Sequence, residues 1–409
     1  MTSTLPRVLI LSDEGPQTGS AGGLLLHRLF RDYPPERIRV LARYVPTIGD
    51  PLPGVSYQKL LVPWHRFESS RFFRLKRSLR AWGLVPPASL ARLDRLLEGF
   101  APEVVFCVMQ HAQYYDTAHR FAQHRGLLLV IAVHDVNDEF EPVLPWARAA
   151  ARRRDGKIYR TAVRRLCISP EMERLCASHY GVAGSVLYPN RSEDLRPRPF
   201  EISGTLRQPG TLTIGFAGNL NYGYGEGLVQ VLPAIRAARA RLIVYGRPPG
   251  GAAAPLAAAT DCCDLRGFVP AAEAWAGIQK DCDAVWLPYP DPAGSMEALY
   301  SYHFPSKLPE YLALGMPVIV TGPSYATGFQ WARRNSEATL CAGTKNLPEL
   351  TALLQRLALD GPWRQNLAER GWHAGERDFA PRRIVNEFYA HLAARSDSSV
   401  NKPESSHVS

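Results

Sequence analysis

The chain has 409 residues, 46% hydrophobic and 21% charged, a composition that excludes a disordered, collagenous or small disulfide-stapled protein and has room for two or three domains. Its seven cysteines are odd in number and form no C-x-x-C pair, which argues against a zinc ribbon or an oxidised framework and for reduced thiols in a cytoplasm. The net charge of +10 is uneven: residues 1–190 carry 26 Lys plus Arg against 17 Asp plus Glu, and the remainder 22 against 21. The first half is therefore expected to face something anionic. No zinc-finger, RNP or basic-zipper pattern appears, so nucleic acid is not the expected partner; a membrane surface or a phosphorylated substrate fits.

No stretch reaches the length of a transmembrane helix. The apolar run Val8–Leu11 lacks a basic n-region and is too short for a secretory signal. A cytoplasmic chain, soluble or peripheral, is expected.

Short apolar strands alternate with amphipathic helices. Strands are predicted at Arg7–Leu11, Ile38–Arg43, Val104–Met109, Leu127–His134, Arg165–Ser169 and Ser185–Tyr188, with helices at Gly22–Asp32, Ala88–Phe100, Tyr114–Arg125 and Pro170–His179. The proline-rich stretch after Asn190 breaks the pattern and reads as a linker over residues 191–210. A second series follows, with strands at Thr211–Ala217, Ala240–Tyr245, Cys263–Phe268, Ala284–Leu287 and Pro317–Thr321. Its helices are Glu226–Ala237, Ala271–Asp281 and Ser306–Leu314, then Leu347–Ala358, Pro362–Arg377 and Pro381–Ala394. Alternation of this kind means parallel sheets flanked by helices: an α/β chain with Rossmann-like domains at 1–190 and 211–375, a C-terminal helix at 376–395 and a polar, disordered tail at 396–409. Such sheets bind ligands beyond the carboxyl ends of their strands, so the chemistry is sought in loops facing an interdomain cleft.

Gly19, Gly22 and Gly23 follow the first strand and open a helix, where bare backbone can approach an anion; a flexible connection is the alternative. The spacing is not G-x-G-x-x-G, which removes a nicotinamide fingerprint. His134-Asp135 ends a strand where His can hydrogen-bond a substrate hydroxyl; a capping Asp with an incidental His is the alternative. Gly218 ends the first strand of the second series, and Arg247, after Tyr245-Gly246, offers a fork to a diphosphate. The strongest stretch is Phe304-Pro305-Ser306-Lys307-Leu308-Pro309-Glu310-Tyr311. Its helix start and the Lys307 ammonium suit phosphate oxygens, and Glu310, one turn on, suits two vicinal ribose hydroxyls.

At these residues the chain resembles the retaining group 1 (family four) glycosyltransferases of GT-B architecture. The likeness runs through Gly19–Gly23, His134-Asp135, Ile168-Ser169-Pro170, Tyr188-Pro189-Asn190, Gly215–Gly218, Asp283–Tyr289 and Ser306–Val320. It implies two Rossmann-like domains across a cleft, with a nucleoside-diphosphate sugar on the C-terminal domain and a glycan or lipid-linked acceptor on the N-terminal one. It also implies transfer with retention and neither metal nor cofactor, the nucleotide sugar being co-substrate. Catalysis would rest on His134, Lys307 and Glu310. The donor would be held by Gly22, Gly23, Gly218, Asn219, Arg247, Tyr289, Ser306, Lys307 and Glu310. The chain departs from the family where Tyr302, with His303 beside it, replaces the first of two signature glutamates. The usual basic pair after the first strand of the C-terminal domain is also missing, Asn219 standing at one of its positions. Asp281-Cys282-Asp283 spells D-x-D, yet its place between helix and strand favours a structural role over a metal site. A degenerate GT-B binding partner and a GT-B-like nucleotide-sugar epimerase are the competing functions.

Residues 71–82 place Phe72, Leu75, Leu79 and Trp82 on one helical stripe among cations. Arg74, Lys76 and Arg77 are expected to face an anionic membrane with the aromatics inserted, the inner face for a cytoplasmic protein, with Arg148 and Arg152–Arg154 as a second basic cluster; a core-packing helix with a basic solvated face is the alternative.

Overall fold

The structure is a computed structural model and describes residues 5–44, 49–69, 71–135, 143–291 and 294–393; the tail expected to be disordered lies outside them. The first unit runs β1 (Val8–Glu14), α1 (Ala21–Phe30), β2 (Ile38–Tyr44), β3 (Ser56–Lys59), α2 (Phe73–Ala81), α3 (Leu90–Leu96), β4 (Val104–Val108), α4 (Ala112–Arg125), β5 (Leu128–Val133), α5 (Arg148–Thr161), β6 (Arg164–Cys167), α6 (Pro170–Tyr180) and β7 (Ser185–Val186). Its seven strands are ordered β3-β2-β1-β4-β5-β6-β7. After α7 (Phe200–Ser203), the second unit runs β8 (Thr213–Ala217), α8 (Tyr224–Ala237), β9 (Arg241–Tyr245), α9 (Gly250–Ala258), β10 (Cys263–Gly267), α10 (Ala271–Asp281), β11 (Ala284–Pro288), α11 (Glu297–Tyr302), α12 (Lys307–Ala313), β12 (Val318–Thr321), α13 (Thr327–Arg334), β13 (Leu340–Ala342), α14 (Leu347–Leu359), α15 (Gly361–Phe379) and α16 (Pro381–Ala393). Its six strands are ordered β10-β9-β8-β11-β12-β13. Every ladder is parallel.

Apolar runs such as Val8–Leu11 and Ala284–Leu287 are buried on both faces, as central parallel strands must be. In each sheet the strand order reverses beside the first strand, between β1 and β4 and between β8 and β11, the switch points where ligand crevices open. Helix ends follow their capping residues. Ser20 and Ser169 accept from Gly23 N and Met172 N at the starts of α1 and α6, and Gly126 and Gly181 end α4 and α6 in the left-handed conformation.

The segment expected as a linker is docked on the second unit. Arg198 is buried and donates to Cys282 O at 2.6 Å and Asp283 O at 3.2 Å. The expected helix 376–395 divides: α15 ends at Phe379, Ala380 is extended, and α16 begins at Pro381, because a residue before proline is pushed out of the helical region. α16 returns to the first unit, where Phe388 meets Phe30 at 5.0 Å and Phe106 at 5.4 Å, edge to face. The chain thus crosses between units twice, and residues 190–194, α1, Pro381 and Val385 line one cavity of about 270 Å³.

Candidate active site

β8 ends at Ala217, and the turn that follows carries Gly218 at φ +126, where a Cβ would stand 2.7 Å from Lys307 Cε. Glycine is required there so that the lysine can thread beneath the turn. Lys307 Nζ lies 4.0 Å from the Tyr224 ring centroid and 5.7 Å from that of Phe216. Aromatic faces attract a cation without neutralising it. Among the described residues no carboxylate pairs with Lys307, and burial pulls its ammonium down to about 7. A desolvated cation without a counter-ion gains most from an incoming phosphate. The helix itself spans only seven residues, and Ser306 makes no side-chain cap, so the anion site expected at its start reduces to the lysine. Arg247 stands exposed after β9.

Glu310, 6% exposed, lies one turn along α12. Its Oε1 accepts from Arg28 Nη2 of α1 at 2.6 Å, its Oε2 from Ser192 N at 3.4 Å, and Arg28 Nη1 donates to Asn190 O at 3.0 Å. The carboxylate expected to face a ribose is therefore already joined to the other unit.

The units also meet at the end of β5. Ser169 Oγ, besides capping α6, donates to Tyr302 O at 2.6 Å. His303 Nδ1 lies 3.0 Å from His134 O and 3.4 Å from Asp135 Oδ1. Both partners are acceptors, so Nδ1 carries the proton. Burial drives the His134 ring down to about 4, leaving it neutral. Asp135 is held below the usual carboxylate range despite burial, chiefly by His303. His303 is raised against its own burial by the Asp135 hydrogen bond and charge.

Several expected site residues do other work. Gly23 is buried, its N–H goes to Ser20 Oγ, and a Cβ would fall 2.5 Å from Gln17 Cγ; tight loop packing, not ligand approach, requires it. Gly22 sits against Glu14 Oε2 in the same loop. Asn219 Oδ1 accepts from Asn221 N at 2.8 Å, shaping its own turn. Tyr289 is buried between Tyr224 and Tyr300, at 5.7 and 4.8 Å between centroids, and so belongs to the core. The D-x-D pair is structural: Asp283 accepts from Arg207 N and Thr213 N, and Asp281 pairs with Arg266.

On α2 the structure departs from the expectation at the cations. Lys76 is buried, Arg77 half-buried and Arg74 exposed, while Phe72, Leu75 and Trp82 stand 45%, 42% and 57% exposed. Inside, Arg80 makes a fork to Asp116 at 2.7 and 2.8 Å and reaches Asp155 at 3.0 Å. This buried ion network draws the polar side of α2 inward and leaves its apolar side out.

Sequence reasoning missed Arg28 and the His303–Asp135 pair. The signal available was the position of His303 beside Tyr302, where the signature glutamate is absent.

No family model and no curated protein matches the sequence. Solved structures match its fold at low identity. Alr3699/HepE of Anabaena, in complex with UDP and glucose, is 15% identical, with TM-score 0.61 over 95% of this chain and 100% of that one. The sucrose-phosphate synthase of Thermosynechococcus elongatus is 13% identical, with TM-score 0.65 over 93% and 97%. The lipopolysaccharide outer core galactosyltransferase WaaB, in its apo form, is 14% identical, with TM-score 0.60 over 94% and 98%. The chain has the GT-B fold.

Proposed function

We propose that the protein is a glycosyltransferase that moves a sugar from a nucleoside diphosphate to a glycan or lipid-linked acceptor, with retention and without a metal. The observation that carries this reading is Lys307, an uncompensated cation held under a glycine turn at the second sheet's switch point. Its ammonium, with Arg247 free to swing in, would stabilise the charge left on the departing diphosphate. Glu310 would accept from the ribose, and neutral His134 would hydrogen-bond the donor sugar or the acceptor. The likeness to a structure solved with UDP and glucose supports a nucleotide sugar as donor.

The acceptor would be met at an anionic membrane. No helix among the described residues is long and apolar enough to cross one. The exposed Phe72, Leu75 and Trp82, with Trp64, Phe67, Leu84 and Trp146 on neighbouring segments and Arg71, Arg74, Arg148 and Arg152 around them, suit peripheral docking.

The test is thermal unfolding with a panel of nucleoside diphosphates and their sugars. A ligand bound only by the folded chain adds about 2.7 kcal/mol at a hundred times its Kd. One member is expected to raise Tm in the wild type and to raise it less in Lys307→Met. A flat panel removes the reading; tight binding without turnover over an acceptor set favours a binding protein instead.

A further inference from the structure

His303 occupies an unusual seat. Its N–H donates to Leu299 O at 2.8 Å and its carbonyl accepts from Thr327 Oγ1 at 2.5 Å, which fixes the backbone within the second unit. Its ring is held from the first unit, by His134 O and Asp135. With Nδ1–H consumed there, Nε2 is the nitrogen left for a ligand, and about a third of the side chain (34%) remains exposed to meet one. Among the described residues, the charged and titratable groups around it are Asp135 and His134 after β5 and Lys307 at the start of α12. Lys307 and, when protonated, the His303 imidazole lie on one short stretch, and among the described residues Asp135 is the carboxylate that reaches the ring, on its Nδ1 side.

We propose that His303, seated by Asp135 across the cleft, is the second cationic contact to the donor diphosphate, donating Nε2–H to a phosphate oxygen beside Lys307. This rests on the transferase reading above and adds to it the group that offsets the missing basic pair. Asp135 acts through His303 and is a positioning residue. Because the pair spans both units, the contact is complete only when they meet, so closure and charge at the diphosphate arrive together. The Asp135 hydrogen bond and charge raise the ring's basicity against its burial, which favours the imidazolium.

The experiment compares nucleoside diphosphates (UDP, GDP, ADP) with the matching monophosphates by calorimetry. His303→Asn keeps a donor toward His134 O and Asp135 and loses Nε2 and the charge. It is expected to weaken the diphosphate about tenfold while the monophosphate stays within about twofold. In a Lys307→Met background, which removes the lysine's own titration, diphosphate affinity is expected to fall as pH rises through the His303 pKa, and Asp135→Asn to move that fall to lower pH. Equal loss of both nucleotides with a lowered Tm, or no loss in His303→Asn, overturns the proposal and leaves the transferase reading standing. If the wild type binds none of the diphosphates, the transferase reading itself fails, and this one with it.

Discussion

Arg28 of α1 and Glu310 of α12 belong to different units and meet at 2.6 Å, with Ser192 N on the second carboxylate oxygen. A carboxylate has about four lone-pair sites, so two remain for vicinal hydroxyls while the guanidinium stays in place. Glu310→Gln is expected to weaken a ribonucleoside diphosphate about tenfold and its 2′-deoxy analogue far less. Calorimetry on both ligands measures this, and an undiminished preference for ribose in the variant would remove Glu310 from the sugar.

If Lys307 holds the diphosphate, binding is linked to pH. Its pKa without ligand is about 7, and a bound phosphate would push it back up, so binding would take up a proton above that pH. Affinity for a nucleoside diphosphate is expected to be full below pH 7 and to decline as pH rises toward 9, a dependence that His303 shares and Lys307→Met reduces. The unliganded protein shows the opposite slope. Its folded form binds fewer protons than the unfolded chain between about 7 and the ordinary lysine value, so stability rises with pH across that window. Lys307→Met is expected to be more stable below pH 7 and to lose this rise. Urea unfolding at pH 6.5 and 9 tests both signs.

The network inside α2, α4 and α5 divides its work unequally. Asp116 takes the fork of Arg80 and a further bond from Arg154 Nε at 3.0 Å, whereas Asp155 takes one Arg80 nitrogen at 3.0 Å and the Tyr115 hydroxyl at 2.9 Å. Against the burial that both share, these cations keep Asp116 below the usual range, while burial leaves Asp155 above it. Arg80→Ala leaves buried carboxylates uncompensated and is expected to cost about 3–5 kcal/mol. Asp116→Asn is expected to cost more than Asp155→Asn. The reverse order in chemical denaturation would contradict this division.

The exposed face of α2 is expected to bind vesicles rich in anionic lipid, with salt lowering the binding. Arg71→Glu with Arg74→Glu should remove about 1 kcal/mol per cation lost at the surface, and Phe72→Ser with Trp82→Ser should remove the salt-resistant part. Lys76→Glu is the wrong probe, since burial makes it a folding variant. Equal partition of the wild type onto neutral and anionic vesicles would end the membrane proposal.

The sheets were legible because parallel strands are apolar on both faces, and Val104–Val108 or Ala284–Leu287 admits little else. Elements without that mark were passed over. β3 reads Ser-Tyr-Gln-Lys on a sheet edge, α5 is Arg-rich, α9 is nearly all small residues, and β13 has three residues. Lys307 and Glu310 stood out because a local helix relates them. Arg28 did not, and Asp135 stood out with His134 and not with His303, since each finds its partner only after two distant segments pack together. For α2 the stripe was legible, but not which cations it would keep outside: periodicity names two faces, and here Lys76 and Arg80 are buried, Arg80 in an ion network.

The return of α16 to Phe30 and Phe106 makes the connection between units a double one. Two crossings side by side, at residues 190–194 and at Ala380, confine relative motion to rotation about the line joining them, as two pins confine a door. Points near that line travel little, so Arg28 and Glu310, beside Ser192, stay together through a swing. His303 and Asp135, which neither crossing holds, would bear a larger displacement in such a swing. Deleting residues beyond Phe379 would take away one pin, free the remaining connection to twist, and expose the aromatic surface against which Phe388 rests.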